Sequence, residues 1–422
     1  MTIARGALLN LAGHGAPLLA ALLAVPALVA RLDAEHFGFL GLAWALVGYF
    51  SLFDLGLGRS LTRIVAERLG TPREAGLPAL SRTALALTFA LGAAAGLAVF
   101  AAADWICLRL LRLPPALADE GATALRILAA CLPLVTLTAA LRGLLEAGKH
   151  FGWVNAIRLP LGVLTFAGPL AVTSSSTHLA ALCGVLALLR VVALAAHWGA
   201  CAVLMPSLAR TGLPERGAAR EMLGYGAWLT VSNVVGPLMV YVDRFFIGAL
   251  ASVTAVAYYT APYEVLTRLW IVPAALTGAL FPAFAAAEPP AARTLYRRGV
   301  VVILATAVPA ALLAGWFAEK WLALWLGDAY AAGGAPAARW LALGVAVNCL
   351  AYLPHTLLQA RGRADLTGKA HLAELPLYIA ALLALVPAYG IEGAALAWAG
   401  RCALDAILLF ALAPRSLRAA QS

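Results

Sequence analysis

Four arginines lie inside long apolar stretches of this chain: Arg190, Arg244, Arg268 and Arg401. Inserting a charged side chain at mid-depth in a bilayer costs about 2.5–3.5 kcal/mol, so such residues are rare and usually have a function. A guanidinium group can donate two parallel hydrogen bonds to one phosphate or carboxylate. These arginines therefore predict a water-filled, positively charged site that binds an anion.

Two of the arginines have an acidic residue one helical turn away. Glu264 precedes Arg268 by four residues, and Asp405 follows Arg401 by four residues. This spacing places both members of a pair on one face of a helix. We expect each acid to hold its arginine while no substrate is bound. The alternative is that the pairs only join neighbouring helices and line no site.

The other two arginines differ from this pattern. Asp243 is adjacent to Arg244, so the two side chains point in different directions on a helix. Arg244 is near a predicted helix end, and extension of its side chain into the head-group region is the alternative to substrate binding. Arg190 has no acidic residue nearby in its own apolar stretch, which favours an anion site.

Three further candidate residues lie in the first two apolar stretches. Asp54 lies about one turn from Arg59, and we expect the two to pair, with Arg59 a further candidate for substrate binding. His14 is a candidate proton carrier, the alternative being a hydrogen-bonded core histidine. Asp54, His14 and the three acids above are therefore interpreted as counter-ions or coupling groups.

The composition indicates the elements that must position these residues. The chain is 63% hydrophobic and 12% charged, with a mean hydropathy of +0.89. Soluble domains are about 45–50% apolar and about 25% charged. Because a membrane helix needs about 20 apolar residues, we predict an all-α polytopic membrane protein. Its twelve or so transmembrane helices fall near 7–30, 37–58, 83–104, 122–141, 159–174, 178–205, 223–250, 253–283, 299–318, 337–358, 371–389 and 392–412.

The loops between these spans alternate in basic charge. Most of the 30 Lys and Arg residues lie in the loops of one side, together with both termini. Cytoplasmic loops carry the excess of Lys and Arg, so both termini are predicted to be cytoplasmic. The net charge of +10 is then a topology signal and a contact for anionic membrane lipids. It does not indicate a nucleic-acid partner.

Two loops on the same predicted side resemble each other. Residues 144–149 and 158–161 match residues 357–363 and 374–377, six spans later. Such a repeat predicts two six-helix lobes related by a parallel pseudo-twofold axis, with a central cavity between them. A chance match in a low-complexity sequence is the alternative. The predicted organisation is an N-terminal lobe 1–206, a cytoplasmic linker 207–220 and a C-terminal lobe 221–422.

Several motifs resemble one known family. They are Phe37–Leu40 with Gly48–Gly58, the loop motif Leu141–Ala147, and the segments Tyr241–Gly248 and Ala255–Glu264. These resemble the O-antigen and lipid-linked oligosaccharide flippases of the multidrug/oligosaccharidyl-lipid/polysaccharide exporter superfamily, and the resemblance covers nearly the whole chain.

The resemblance implies a function and a location. The substrate would be an oligosaccharide on undecaprenyl pyrophosphate, moved from the cytoplasmic to the periplasmic leaflet of the bacterial inner membrane. The cycle would alternate between inward-facing and outward-facing states, with no bound cofactor. A proton gradient, a sodium gradient and the membrane potential remain open as its energy source. A glycan polymerase or other export-pathway proteins are the partners this implies.

Two other classes of function fit the sequence less well. A cation-coupled multidrug antiporter of the same superfamily would need an acidic cavity, whereas the first span here carries no carboxylate. A membrane glycosyltransferase or glycan polymerase would need catalytic acids in a sizeable loop or domain. The loops here are short and hold no paired-carboxylate, nucleophile or metal motif, so an enzyme is not expected.

Overall fold

The computed structural model describes residues 3–50, 57–208, 217–219 and 227–418, and their regular secondary structure is entirely helical. The all-α prediction is therefore confirmed for the described part of the chain. The helices form two compact units, Met1–Tyr241 and Val242–Ser422. The first unit extends past the predicted linker 207–220 because the start of the next helix packs on it: a Cβ atom added to Gly48 would lie 2.9 Å from the Tyr241 ring.

The described part of the first unit contains eight α-helices with defined bounds and the start of a further one, besides the helical residues 217–219. Its core contains buried leucines such as Leu61, Leu80, Leu141 and Leu144. These residues join the third, fourth and sixth helices, which also contact one another along their length. The helices are α1 Ile3–Arg31, α2 Ala34–Phe50, α3 Leu57–Arg68, α4 Leu77–Trp105, α5 Pro115–Ala130, α6 Leu132–Ala147, α7 Phe151–Val172, α8 Leu179–Leu204 and α9 Ala227–Leu250.

The second unit is organised around one long helix. This helix, α15, packs against α10, α11, α12, α13, α14 and α16 and buries much of its length. The helices are α10 Val253–Leu266, α11 Ile271–Ala286, α12 Pro289–Ala305, α13 Ala307–Trp316, α14 Ala318–Leu326, α15 Asp328–Ala360 and α16 Ala364–Arg418.

The helices have the length and surface of membrane spans. Seven described helical segments are long and apolar enough to cross a bilayer, and Leu19–Arg31 is a shorter apolar helix. Large apolar side chains such as Leu23, Val203 and Leu324 are exposed on their outer faces. Exposed apolar surface on this scale is expected where lipid tails replace water. The chain is therefore a multi-pass membrane protein, and the finer count of twelve spans stays a prediction.

Two breaks in the helices follow from single residues. Pro273 cannot donate a backbone hydrogen bond, and its ring crowds the carbonyl four residues earlier. The predicted continuous span 253–283 is accordingly interrupted by a 3₁₀ turn at Thr267–Trp270. Gly390 has φ 56° and ψ −132°, a conformation that disfavours any side chain. It divides α16 into a first arm, 364–389, and a second arm, 391–418, close to the predicted boundary between spans.

The packing of α15 on the second arm of α16 gives a test of this architecture. A Cβ atom added to Gly344 would lie 2.5 Å from the buried Trp398 ring and 3.1 Å from the Ala399 Cα atom. We expect Gly344→Ala to destabilise the protein by about 1–3 kcal/mol through overpacking. Gly400→Ala is the matched control, because nothing lies within 4 Å of its added Cβ atom. Thermal unfolding in one detergent should show a lower midpoint for Gly344→Ala only, and equal midpoints for both variants would contradict the packing.

Candidate functional site

The side chain of Glu264 binds two arginines in the second unit. Its Oε2 atom accepts a hydrogen bond of 2.7 Å from Nη2 of Arg268, and its Oε1 atom accepts one of 3.1 Å from Nη2 of Arg244. The Nε atom of Arg268 also donates to the Glu264 carbonyl at 3.2 Å. The i,i+4 contact predicted from the sequence is thus present, although Arg268 lies in the 3₁₀ turn after α10.

The two arginines on Glu264 differ in accessibility. The Arg244 side chain is 1% exposed, whereas that of Arg268 is 32% exposed. The Arg244 guanidinium also lies over the Tyr263 ring, 4.4 Å from its centroid, which is a favourable cation–π contact. Arg244 is therefore held inside the unit and does not extend to a head-group region. Arg268 is the member of the pair that a ligand can reach.

Asp243 is fully buried and satisfied by different partners. Its Oδ1 atom accepts from the backbone N–H of Arg244 at 2.8 Å, and its Oδ2 atom accepts from the Tyr259 hydroxyl at 2.5 Å. Asp243 and the Arg244 guanidinium thus point to different partners, as their adjacency predicts. Two hydrogen bonds to a charged acceptor of this kind stabilise the junction between α9 and α10.

Arg401 is buried on the second arm of α16 and contacts a carboxylate besides the predicted one. Its Nη1 atom lies 3.9 Å from Oε2 of Glu374, on the first arm of the same element. Asp405 instead lies 3.8 Å from Nε2 of His371, also on the first arm. The charges of Arg401 and Asp405 attract each other, as the i,i+4 spacing predicts, and their role as a pair stays a prediction. The turn at Gly390 brings two carboxylates from different arms near one arginine.

Arg190 has no ion pair among the described residues. Its Nε atom is buried on α8, and no described residue accepts a hydrogen bond from it. This agrees with the absence of an acid in its own apolar stretch. A buried donor without an acceptor costs about 1–3 kcal/mol, more for a charged group, so an anion at this position would be favoured.

Three candidate side chains lie outside the described part of the structure. Asp54 falls in residues 51–56, and the side chains of His14 on α1 and Arg59 on α3 are likewise not described. Their roles as counter-ion, coupling group and substrate ligand stay predictions. In the part of the chain that is described, no cluster of three His, Cys, Asp or Glu side chains is arranged to hold a metal ion.

Glu374, His371 and Tyr259 belong to these clusters, although the sequence pattern did not single them out. Glu374 is the clearest case, because it is a carboxylate in an apolar segment and is completely buried. The cost of a charged side chain in an apolar span, which singled out the arginines, applies equally to Glu374. Tyr259 carries no charge, and its contact with Asp243 depends on how α9 and α10 pack, which local spacing does not encode.

Comparisons with known proteins assign the chain to a family. Residues 3–288 match the family model described as polysaccharide biosynthesis protein. The chain belongs to that family. A candidate O-antigen transporter of Shigella flexneri is 30% identical to it over 418 residues, covering 97% of each chain. The family is one of membrane transporters and not of enzymes, so that expectation is confirmed.

Solved structures show the same fold over the whole chain. An inward-facing multidrug resistance MATE family transporter of the MOP superfamily is 17% identical, with a TM-score of 0.76 over 97% of this chain and 95% of the other. An outward-facing MATE family transporter is 15% identical, with a TM-score of 0.72 over 100% and 96%. A MOP superfamily transporter from Pyrococcus furiosus is 14% identical, with a TM-score of 0.67 over 100% and 96%. At these identities the likeness shows the fold alone.

The shared carboxylate of Glu264 predicts an order of stability among variants. Arg268→Ala should cost about 1 kcal/mol or less, because it removes a partly exposed partner and leaves Glu264 bound to Arg244. Glu264→Ala should cost about 3–5 kcal/mol, because it removes a carboxylate from buried Arg244. The measurement is thermal unfolding of both purified variants in the same detergent. Equal destabilisation by the two, or the reverse order, would show that Glu264 does not hold Arg244.

Proposed function

We propose that the chain is a flippase for an undecaprenyl-pyrophosphate-linked oligosaccharide. It would move this lipid from the cytoplasmic to the periplasmic leaflet of the bacterial inner membrane by alternating access. The family assignment supports a role in polysaccharide biosynthesis, and the Shigella flexneri relative supports an O-antigen type of substrate. The superfamily fold supports alternating access, since relatives of this fold are described in inward-facing and outward-facing conformations.

The contact of Glu264 with two arginines carries the proposal for the head group. A pyrophosphate that binds Arg268 would replace Glu264 as its partner, with paired hydrogen bonds to the guanidinium. Glu264 would keep its bond of 3.1 Å from Arg244 and would not be left as an unpaired buried charge. The exchange therefore avoids the main cost of breaking a buried ion pair. Arg401, Arg190, Arg244 and Arg59 are proposed as further arginines that bind the substrate.

The remaining parts of the proposal come from the sequence pattern. Two six-helix lobes would enclose a central cavity, and both termini would be cytoplasmic because the basic loops lie on their side. A proton gradient, a sodium gradient and the membrane potential each remain open as the energy source. The partners would be membrane lipids and the other proteins of the export pathway.

A cation-coupled drug antiporter is the second candidate. The MATE-like fold and the buried carboxylates Glu374 and Asp405 favour it, because a cationic substrate needs acidic ligands. The two functions are separated by drug resistance of a sensitised strain that produces the chain. Resistance that persists in Arg268→Ala and is lost in Glu374→Gln would support the antiporter over the flippase.

Export of surface glycan in cells tests the flippase proposal. Arg268→Ala should lower export about tenfold or more, because a charge-assisted bond to phosphate contributes about 1.5–3 kcal/mol. Arg268→Lys should retain part of the export, since the charge remains but the paired geometry is lost. Arg339→Ala is the control, because this exposed arginine pairs with exposed Glu319 at 3.3 Å. Unchanged export by Arg268→Ala at normal protein levels would rule out this head-group site.

A further inference from the structure

A second cluster of ionisable groups in the second unit has no part in the Glu264 site. It joins the two arms of α16, with Glu374 and His371 on the first arm and Arg401 and Asp405 on the second. All four side chains are buried. The cluster is therefore largely shielded from water and from surface counter-ions, so most of its charge must be balanced internally.

The contacts within this cluster leave its carboxylates poorly satisfied. Neither Oε atom of Glu374 receives a hydrogen bond from a described residue, and the same holds for Oδ1 of Asp405. The nearest basic groups among the described residues are Nη1 of Arg401, 3.9 Å from Glu374, and Nε2 of His371, 3.8 Å from Asp405. Two buried carboxylates thus depend on one permanent cation. Such an excess of buried negative charge is usually relieved by protonation of one carboxylate.

A second histidine extends the cluster towards α15. The rings of His355 and His371 are stacked, with centroids 5.9 Å apart, and the Nε2 atom of His355 lies 3.3 Å from the Gln359 amide. Histidine is the side chain whose ordinary pKa lies nearest to neutral pH. Of these two rings, His371 lies next to Asp405, with Nε2 at 3.8 Å from Oδ1, and His355 stacks on it.

The charge balance of the buried groups in the second unit points in the same direction. Buried or half-buried carboxylates outnumber the arginines around them: Asp243, Glu264, Glu374 and Asp405 accompany Arg244, Arg268 and Arg401. With every group ionised, this set is net negative. An anion would then gain little by binding Arg401, because two carboxylates already lie around this guanidinium.

We propose that Glu374 and Asp405 share one exchangeable proton, and that this proton controls whether Arg401 can bind an anion. Without the proton, the two carboxylates carry two negative charges against the one positive charge of Arg401, so the cluster is net negative. When a hydronium ion transfers its proton to a carboxylate oxygen, an O–H bond of the hydronium breaks, one O–H bond forms on the carboxyl and water is released. The cluster is then neutral and no longer repels an anion at Arg401. An anionic head group then binds with uptake of this proton. The part of this proposal that concerns anion binding rests on the proposed function, because it assigns the anion to the same substrate.

The direction of the pH effect follows from this arrangement. Lower pH protonates the pair and strengthens anion binding, whereas higher pH ionises both carboxylates and weakens it. Other ionisable groups face the cluster and contribute to its electrostatic environment. They are His355 on α15, Tyr378 on the first arm, Cys402 on the second arm, Asp243 on α9, and Tyr259 and Tyr263 on α10.

Infrared difference spectroscopy of the full chain in lipid tests the shared proton without any substrate. Wild type should show the C=O band of a protonated carboxyl at neutral pH, and the band should vanish as the pH rises. Glu374→Gln and Asp405→Asn should each abolish it, because the remaining carboxylate is then balanced by Arg401. Glu319→Gln, at an exposed position, is the matched control and should leave the band unchanged. A wild-type spectrum without the band would overturn the proposal even if neither variant folds.

Calorimetric titration with inorganic pyrophosphate tests the coupling to anion binding. In two buffers of different ionisation enthalpy, wild type should take up about one proton per pyrophosphate, and its affinity should fall about tenfold per pH unit above the range where the pair titrates. Glu374→Gln should bind with less proton uptake and a weaker pH dependence. Binding without proton uptake, or no binding at any pH, would overturn the coupling. Failure of the flippase proposal would look different: glycan export would be unchanged in Arg268→Ala, while the carboxyl band remained in the infrared spectrum.

Discussion

The cost of holding charge away from water is the constraint on which the rest of the second unit depends. It explains why Glu264 binds two guanidiniums, why Asp243 receives both a backbone and a hydroxyl donor, and why Arg244 lies over an aromatic ring. Each contact satisfies a charge that the surrounding apolar helices cannot. The same constraint allows the site to bind a ligand, because a ligand of the right charge can take the place of an internal ion-pair partner.

The breaks in the helices place these charges where they can be exchanged. Pro273 interrupts the segment that carries Arg268, so this arginine lies at a 3₁₀ turn and stays partly exposed. Gly390 reverses the chain and brings Glu374 to within 3.9 Å of Arg401. Each break is caused by one residue with special backbone properties. The polar chemistry of the unit thus depends on two local departures from regular helix.

The sequence predicted what local spacing and composition encode. The helical fold, the break near residue 390 and the Glu264–Arg268 contact depend on hydropathy, glycine and the i,i+4 rule, and all are present. The contact of Arg401 with Glu374 was not predicted, because it joins the two arms and depends on the turn between them. The contact of Tyr259 with Asp243 depends on packing between elements, for which no local pattern exists.

The central claim is that the intramembrane arginines bind the pyrophosphate of a lipid carrier. The most direct measurement compares binding of a prenyl pyrophosphate and of the same prenyl alcohol to the purified full chain. The account predicts at least about tenfold tighter binding of the pyrophosphate, a gap that narrows with salt and is much reduced in Arg268→Ala. Equal affinity for the charged and the neutral lipid would contradict it.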